Sequence, residues 1–135
     1  MKKKLYNILL LKKKLKRNNS INQISELNKE KIKSDEAIKV LNELLQGSKF
    51  CDGELLTADE VITKSKYQSE IHKRIEVSNN RSIFLKKEIR QGLVKLNQIN
   101  KQKKVISEKI KNIDKENLKK KNEKLELTSI NRHNL

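Results

Sequence analysis

Isoleucine and leucine recur along this chain at intervals of three and four residues, with lysine, glutamate and asparagine between them. That spacing gathers the apolar side chains on one face of a helix. The pattern predicts two helices. The first runs from about Leu5 to Gln46, with Ile8, Leu11 and Leu15 facing inward. After a phase shift near Asn18 to Asn22 come Ile21, Ile24, Leu27, Ile38, Leu41 and Leu45. The second runs from about Ala58 to Leu127. Counted as heptads from Val61, its inward positions are Val61, Lys64, Gln68, Ile71, Ile75, Ser78, Ser82, Leu85, Ile89, Gly92, Leu96, Ile99, Lys103, Ile106, Ile110 and Ile113. One register held from Ile71 to Ile113, roughly six heptads, is the signature of a coiled coil. Ser78, Ser82, Gly92 and Lys103 interrupt the seam and weaken it.

Between the helices stands QGSKFCDGELLTADE, residues 46–60, which holds two of the three glycines and the single cysteine. Gly47 sits where a left-handed helix C-cap is expected, and Gly53 allows a second bend. Thr57 and Glu60 have the spacing of a capping box, and Leu56 with Val61 suits a hydrophobic staple. The expected fold is all-α: a two-helix antiparallel coiled-coil hairpin with a longer C-terminal helix. It forms one unit over residues 1–135, with its tip at 47–57 and a flexible tail at 128–135. If Gln46 and Thr57 pair across the tip, the N-terminus ends opposite Lys103. Ile106, Ile110 and Ile113 then form an uncovered apolar strip, which normally marks a binding surface.

Composition narrows the class. With 34% hydrophobic and 37% charged residues and no tryptophan, the chain lacks the makings of an ordinary globular core. Its regular Ile and Leu spacing separates it from disordered chains of similar charge. The absence of proline fits long helices. Cys51 is alone, so no internal disulfide or cysteine-based metal site is expected, and a reducing compartment follows. The opening MKKKLYNILLLKKKLKRNNS has a short apolar stretch followed by KKKLKR, where a signal peptide would carry small residues. No apolar run approaches the roughly 20 residues of a membrane span. The expectation is a cytoplasmic protein without membrane insertion.

Charge is uneven. Residues 1–25 carry eight Lys/Arg and no acid, and residues 101–135 carry eleven against five. The rest, 14 against 12, is nearly neutral, and residues 46–62, Asp52 included, come to −3 within the total of +16. A hairpin gathers the basic segments at one end of a rod and leaves the acidic tip at the other, which steers an acidic partner. His72 and His133 lie a helix length apart and no glycine-rich phosphate loop occurs, so no enzyme, cofactor or metal is expected. Nucleic-acid binding is the rival from another class, given a pI near 9.9. The chain lacks the asparagine-centred reading face of a basic zipper and the aromatics for stacking on single strands, which leaves only non-specific binding. A peripheral membrane helix over Leu5 to Arg17 is a third reading, disfavoured because the hairpin interior needs the same Leu and Ile.

LYNILLLKKKLKR at residues 5–17 and LLTADEVITKSKYQSEIHKRI at residues 55–75 carry a family resemblance. The chain resembles the central stalk proteins of type III secretion systems, the InvI/SpaM family, related to YscO and flagellar FliJ. The matching positions after the tip are Leu56, Thr57, Asp59, Glu60, Lys66, Gln68, Ser69, His72, Lys73 and Ile75, while Glu70 and Gly92 depart from the pattern. The resemblance implies a non-enzymatic stalk at the cytoplasmic base of a bacterial secretion apparatus, linking the hexameric export ATPase to the cytoplasmic ring of the export gate. Secretion chaperones or the needle-length regulator are further implied partners. On that basis Lys12, Lys13, Lys14, Arg17, Ile106, Ile110 and Ile113 are expected to face the ATPase. Leu45, Phe50, Leu55, Leu56, Tyr67 and Gln68 are expected to face the gate, with Phe50 folding back onto Leu55 as an equal alternative.

Overall fold

A computed structural model describes residues 2–51 and 53–133, with side chains through Ile130. Two helices account for nearly all of it: α1 (Lys2–Gly47) and α2 (Ala58–His133), packed against each other, with no strand among the described residues.

The link between them is set by a few hydrogen bonds. Ser48 ends α1: its backbone N–H donates to the carbonyls of Leu44 (3.1 Å) and Leu45 (3.2 Å), and its hydroxyl donates to Leu45 at 2.8 Å. Gly47 therefore stays helical instead of taking the expected left-handed cap, because the serine satisfies the last-turn carbonyls. The left-handed bend falls at Gly53, with φ of 81°. At the start of α2, Glu60 N–H donates to the Thr57 hydroxyl (3.2 Å) and Thr57 N–H donates to the Glu60 carboxylate (3.3 Å). This is the reciprocal box that the spacing predicts. Val61, the expected staple partner of Leu56, stays exposed. At the far end α2 continues through residues 128–133, where a flexible tail is expected. Nothing after Gly92 breaks a helix, and Lys, Glu, Leu and Asn carry it on. Residues 134–135 lie outside the described residues.

The chain divides into two compact units. A loop unit spans Asn22–Leu93, and a terminal unit joins Met1–Ile21 to Val94–Leu135. In the loop unit, Ile24, Ile71 and Leu85 are buried, Leu85 to 1% exposure. Polar rungs flank them. Ser48 carbonyl accepts from the Gln68 side chain (2.7 Å), and Asp35 accepts from the Ser82 hydroxyl (2.9 Å). The Ser34 hydroxyl donates to the Ser78 carbonyl (3.1 Å), and Glu30 pairs with Arg81 (2.8 Å). Ile24 lies over Gly92, where an added Cβ would sit 3.0 Å from its Cγ1. As positions climb along α1, their partners descend along α2. Ser78, Ser82 and Gly92, which look like seam defects in the sequence, are contact residues.

In the terminal unit no described side chain is fully buried. Tyr6, Leu9, Leu10, Lys13, Arg17 and Ser20 are half-buried, as are Leu96, Ile99, Lys103, Ile106, Ile110 and Ile113. Lys3 pairs with Asp114, and the Lys109 ammonium lies 5.6 Å from the Tyr6 ring. The uncovered strip at Ile106, Ile110 and Ile113 is therefore corrected: the N-terminal segment of the same chain shields it. Within the loop unit Ser48 meets Gln68, where the expected offset would place Leu55. Within the terminal unit Lys3 pairs with Asp114, where that offset would place Asn100.

The inward face of α1 is also corrected. Its shielded positions are Tyr6, Leu10, Lys13, Arg17, Ser20, Ile24, Leu27, Lys31, Ser34, Ile38, Leu41, Leu45 and Ser48, in steps of four and three, with Leu9 beside Leu10. There is no phase shift, and Ile8, Leu11, Leu15 and Ile21 are exposed. A slip would locally overwind or unwind the helix. Keeping one stripe continuous from Ile24 backward instead shelters the Lys13 and Arg17 stems, which can still hold their charges in water. On α2 every expected register position from Lys64 to Ile113 is shielded, with Glu88 and Ser107 shielded beside them, and Val61 alone of the register stays exposed.

Candidate functional site

Charge separates by unit more sharply than by sequence segment. The terminal unit holds 20 Lys/Arg against 5 Asp/Glu, +15, while the loop unit holds 13 against 12, +1. The unit in which no described side chain is buried carries nearly all the net charge of the protein.

The expected ATPase-facing residues all fall in this terminal unit, but not on one surface. Lys12 and Lys14 are exposed, whereas Lys13, Arg17, Ile106, Ile110 and Ile113 are half-buried along the packed face. Every described side chain from Asp114 to Ile130 is exposed, including Leu118, Leu125, Leu127 and Ile130 beside Lys115, Lys119, Lys120, Lys121 and Lys124. Sequence reading missed this stretch because Leu118 and Leu125 leave the register set by Ile106 and Ile113, which Leu127 alone keeps. The repeat of Leu118 and Leu125, seven residues apart, was the available signal.

The expected gate-facing residues lie in the loop unit. The Lys64 ammonium sits 4.8 Å from the Phe50 ring and 3.6 Å from Glu54, whose carboxylate also accepts from the Cys51 N–H at 3.3 Å. Phe50 therefore packs against a lysine, and Leu55 stands 99% exposed, so the fold-back alternative does not occur. Leu56 is half-buried and lines an open groove with Thr63, Lys64 and the exposed Tyr67. Leu45 is half-buried, and Gln68 is engaged by Ser48. Asp52, part of the acidic segment, lies outside the described residues.

Hydrogen bonds from Ser82 and Lys31, with the Lys31 charge, hold the Asp35 carboxyl below its ordinary value against slight desolvation. His72 is exposed on α2. Among the described residues no cluster of His, Cys, Asp or Glu could hold a metal ion, and no helix is long and apolar enough to cross a membrane. Compared with family models, curated proteins and solved structures, the chain matches none.

Proposed function

We propose that this protein is a non-enzymatic coiled-coil hairpin that docks through its basic terminal unit on an acidic partner assembly. More specifically, we propose the central stalk of a bacterial type III secretion system, between the hexameric export ATPase and the export-gate ring. The observation that carries this reading is the +15 charge of the terminal unit beside a nearly neutral, better packed loop unit. A long-range field of that sign accelerates association with an acidic surface and makes it salt-sensitive. The alternation of four- and three-residue steps on both helices is the spacing of a coiled coil, and the resemblance at residues 55–75 supplies the particular family. Docking falls to exposed groups: Lys12, Lys14, and Lys115 to Ile130 on α2. Phe50, Leu55, Leu56 and Tyr67 are the proposed gate contacts.

The test is co-sedimentation with a purified secretion ATPase, together with ATPase hexamerisation. Wild-type protein should bind and promote hexamers, with affinity falling as salt rises. Lys12→Glu/Lys14→Glu and Lys119→Glu/Lys120→Glu/Lys121→Glu should each weaken binding about tenfold or more at low salt, while Leu55→Ser leaves it intact and weakens binding to the gate ring. Unchanged ATPase binding in both charge variants rejects the assignment. Non-specific nucleic-acid binding is the second reading, favoured by the exposed Lys119–Lys121 run. Retention of duplex DNA with a steep salt slope, without ATPase binding, would favour it.

A further inference from the structure

The continuous inward stripe of α1 leaves Leu5, Ile8, Leu11 and Leu15 in solvent, at 58%, 47%, 59% and 56% exposure. At about 100° per residue these four lie on the side of the helix roughly opposite Tyr6, Leu10, Lys13 and Arg17. Hairpin packing therefore does not use them, which removes the objection to a surface-bound helix. Lys4 and Lys16 are exposed and stand within one turn of the aliphatic side chains. No acidic residue precedes Glu26.

We propose that this outward face of α1, from Leu5 to Leu15, lies on an anionic lipid surface. The aliphatic side chains enter the headgroup boundary and the lysines reach outward to anionic headgroups. The chemistry on the face selects this occupant. It offers no aromatic ring and no polar group for directional recognition, only aliphatic carbon and flexible charges of one sign. That combination suits a fluid surface with a greasy interior and diffuse negative charge. A second copy of the chain is disfavoured, because two such faces bring lysine against lysine. The helix lies on the bilayer and does not cross it, consistent with the absence of a spanning helix among the described residues. The proposal rests on the α1 geometry and not on the secretion assignment.

The test uses the full chain with vesicles of phosphatidylcholine, with and without phosphatidylglycerol. The protein should sediment with the anionic vesicles only. Leu11→Ser/Leu15→Ser, which leaves the charge unchanged, should lower partitioning about tenfold or more, with helicity preserved because both side chains are exposed. The chain has no tryptophan, so Leu11→Trp supplies a single reporter whose emission should shift to the blue on anionic vesicles. Absence of binding to either vesicle overturns the proposal. So does binding that is indifferent to Leu11→Ser/Leu15→Ser with no blue shift, which would be adsorption of a basic unit by charge alone. If the leucine variant spares lipid binding but abolishes ATPase binding, the face belongs to a protein partner and the proposal is likewise overturned.

Discussion

Gly92 occupies a helix interior, where glycine costs about 1 kcal/mol relative to alanine, and the side chain of Ile24 gives the reason. A Cβ there would sit 3.0 Å from Ile24 Cγ1, so an added methyl needs the Ile24 side chain to give by a few tenths of an ångström and a larger group needs more. Alanine and leucine have similar helix propensities, and comparing them isolates the overpacking. Gly92→Leu should be less stable than Gly92→Ala by about 1–3 kcal/mol in urea unfolding, and equal midpoints would refute the contact. Asp35 offers a second local test. Its carboxyl titrates lower folded than unfolded because Ser82 and Lys31 donate to it. Its contribution is thus present in full above the ordinary carboxylate value of about 4 and is lost as pH falls through the lowered one. Asp35→Asn should reduce stability at neutral pH and flatten the acid limb of the stability profile. An unchanged acid limb would mean the hydrogen bonds do not favour the charged form.

Each helix is defined by its ends and by the stripe it keeps covered. Thr57→Ala removes one arm of the box that opens α2 and should cost about 1 kcal/mol, measured by thermal melting. Leu85→Ala, at a site of 1% exposure, should cost about 2–5 kcal/mol. Leu11→Ala, on the outward face, should change stability by no more than about 0.5 kcal/mol; a large loss there would return Leu11 to the packed face. How far these elements could be read from sequence differs between them. Thr57 and Glu60 announce their hydrogen bonds by spacing alone, and the α2 stripe from Lys64 to Ile113 is continuous enough to read directly. The N-terminal half of α1 is not. Leu5, Ile8, Leu11 and Leu15 form one stripe and Tyr6, Leu9 and Leu10 another, and hydrophobicity favours the first. The choice falls to the second because a continuous seam from Ile24 demands Ser20, Arg17 and Lys13, whose stems tolerate shielding. The pairing offset was equally hidden. It depends on Ser48 meeting Gln68, a contact fixed by the path of the link and not by any local pattern. In the terminal unit the pairing of Lys3 with Asp114 goes with the covering of Ile106, Ile110 and Ile113, which is why the candidate surface moves to Lys12, Lys14 and the stretch beyond Asp114.

For the whole molecule, stability and charge are distributed in opposite senses. The buried side chains lie in the loop unit, and the net charge lies in the terminal unit. Mutual repulsion among 20 basic groups, offset by only 5 acids, opposes compaction, and the acidic partner proposed above would neutralise it. The terminal unit should then be the more labile of the two alone and the one that gains most on binding. Hydrogen exchange of the full chain, free and with hexameric secretion ATPase, reads both quantities at once. Slow exchange around Ile24, Ile71 and Leu85 in the free protein, with new protection on binding confined to residues 1–21 and 94–135, is the expected result. Protection that appears instead around Phe50 to Tyr67, or no change in the terminal segments when the ATPase is added, would contradict it.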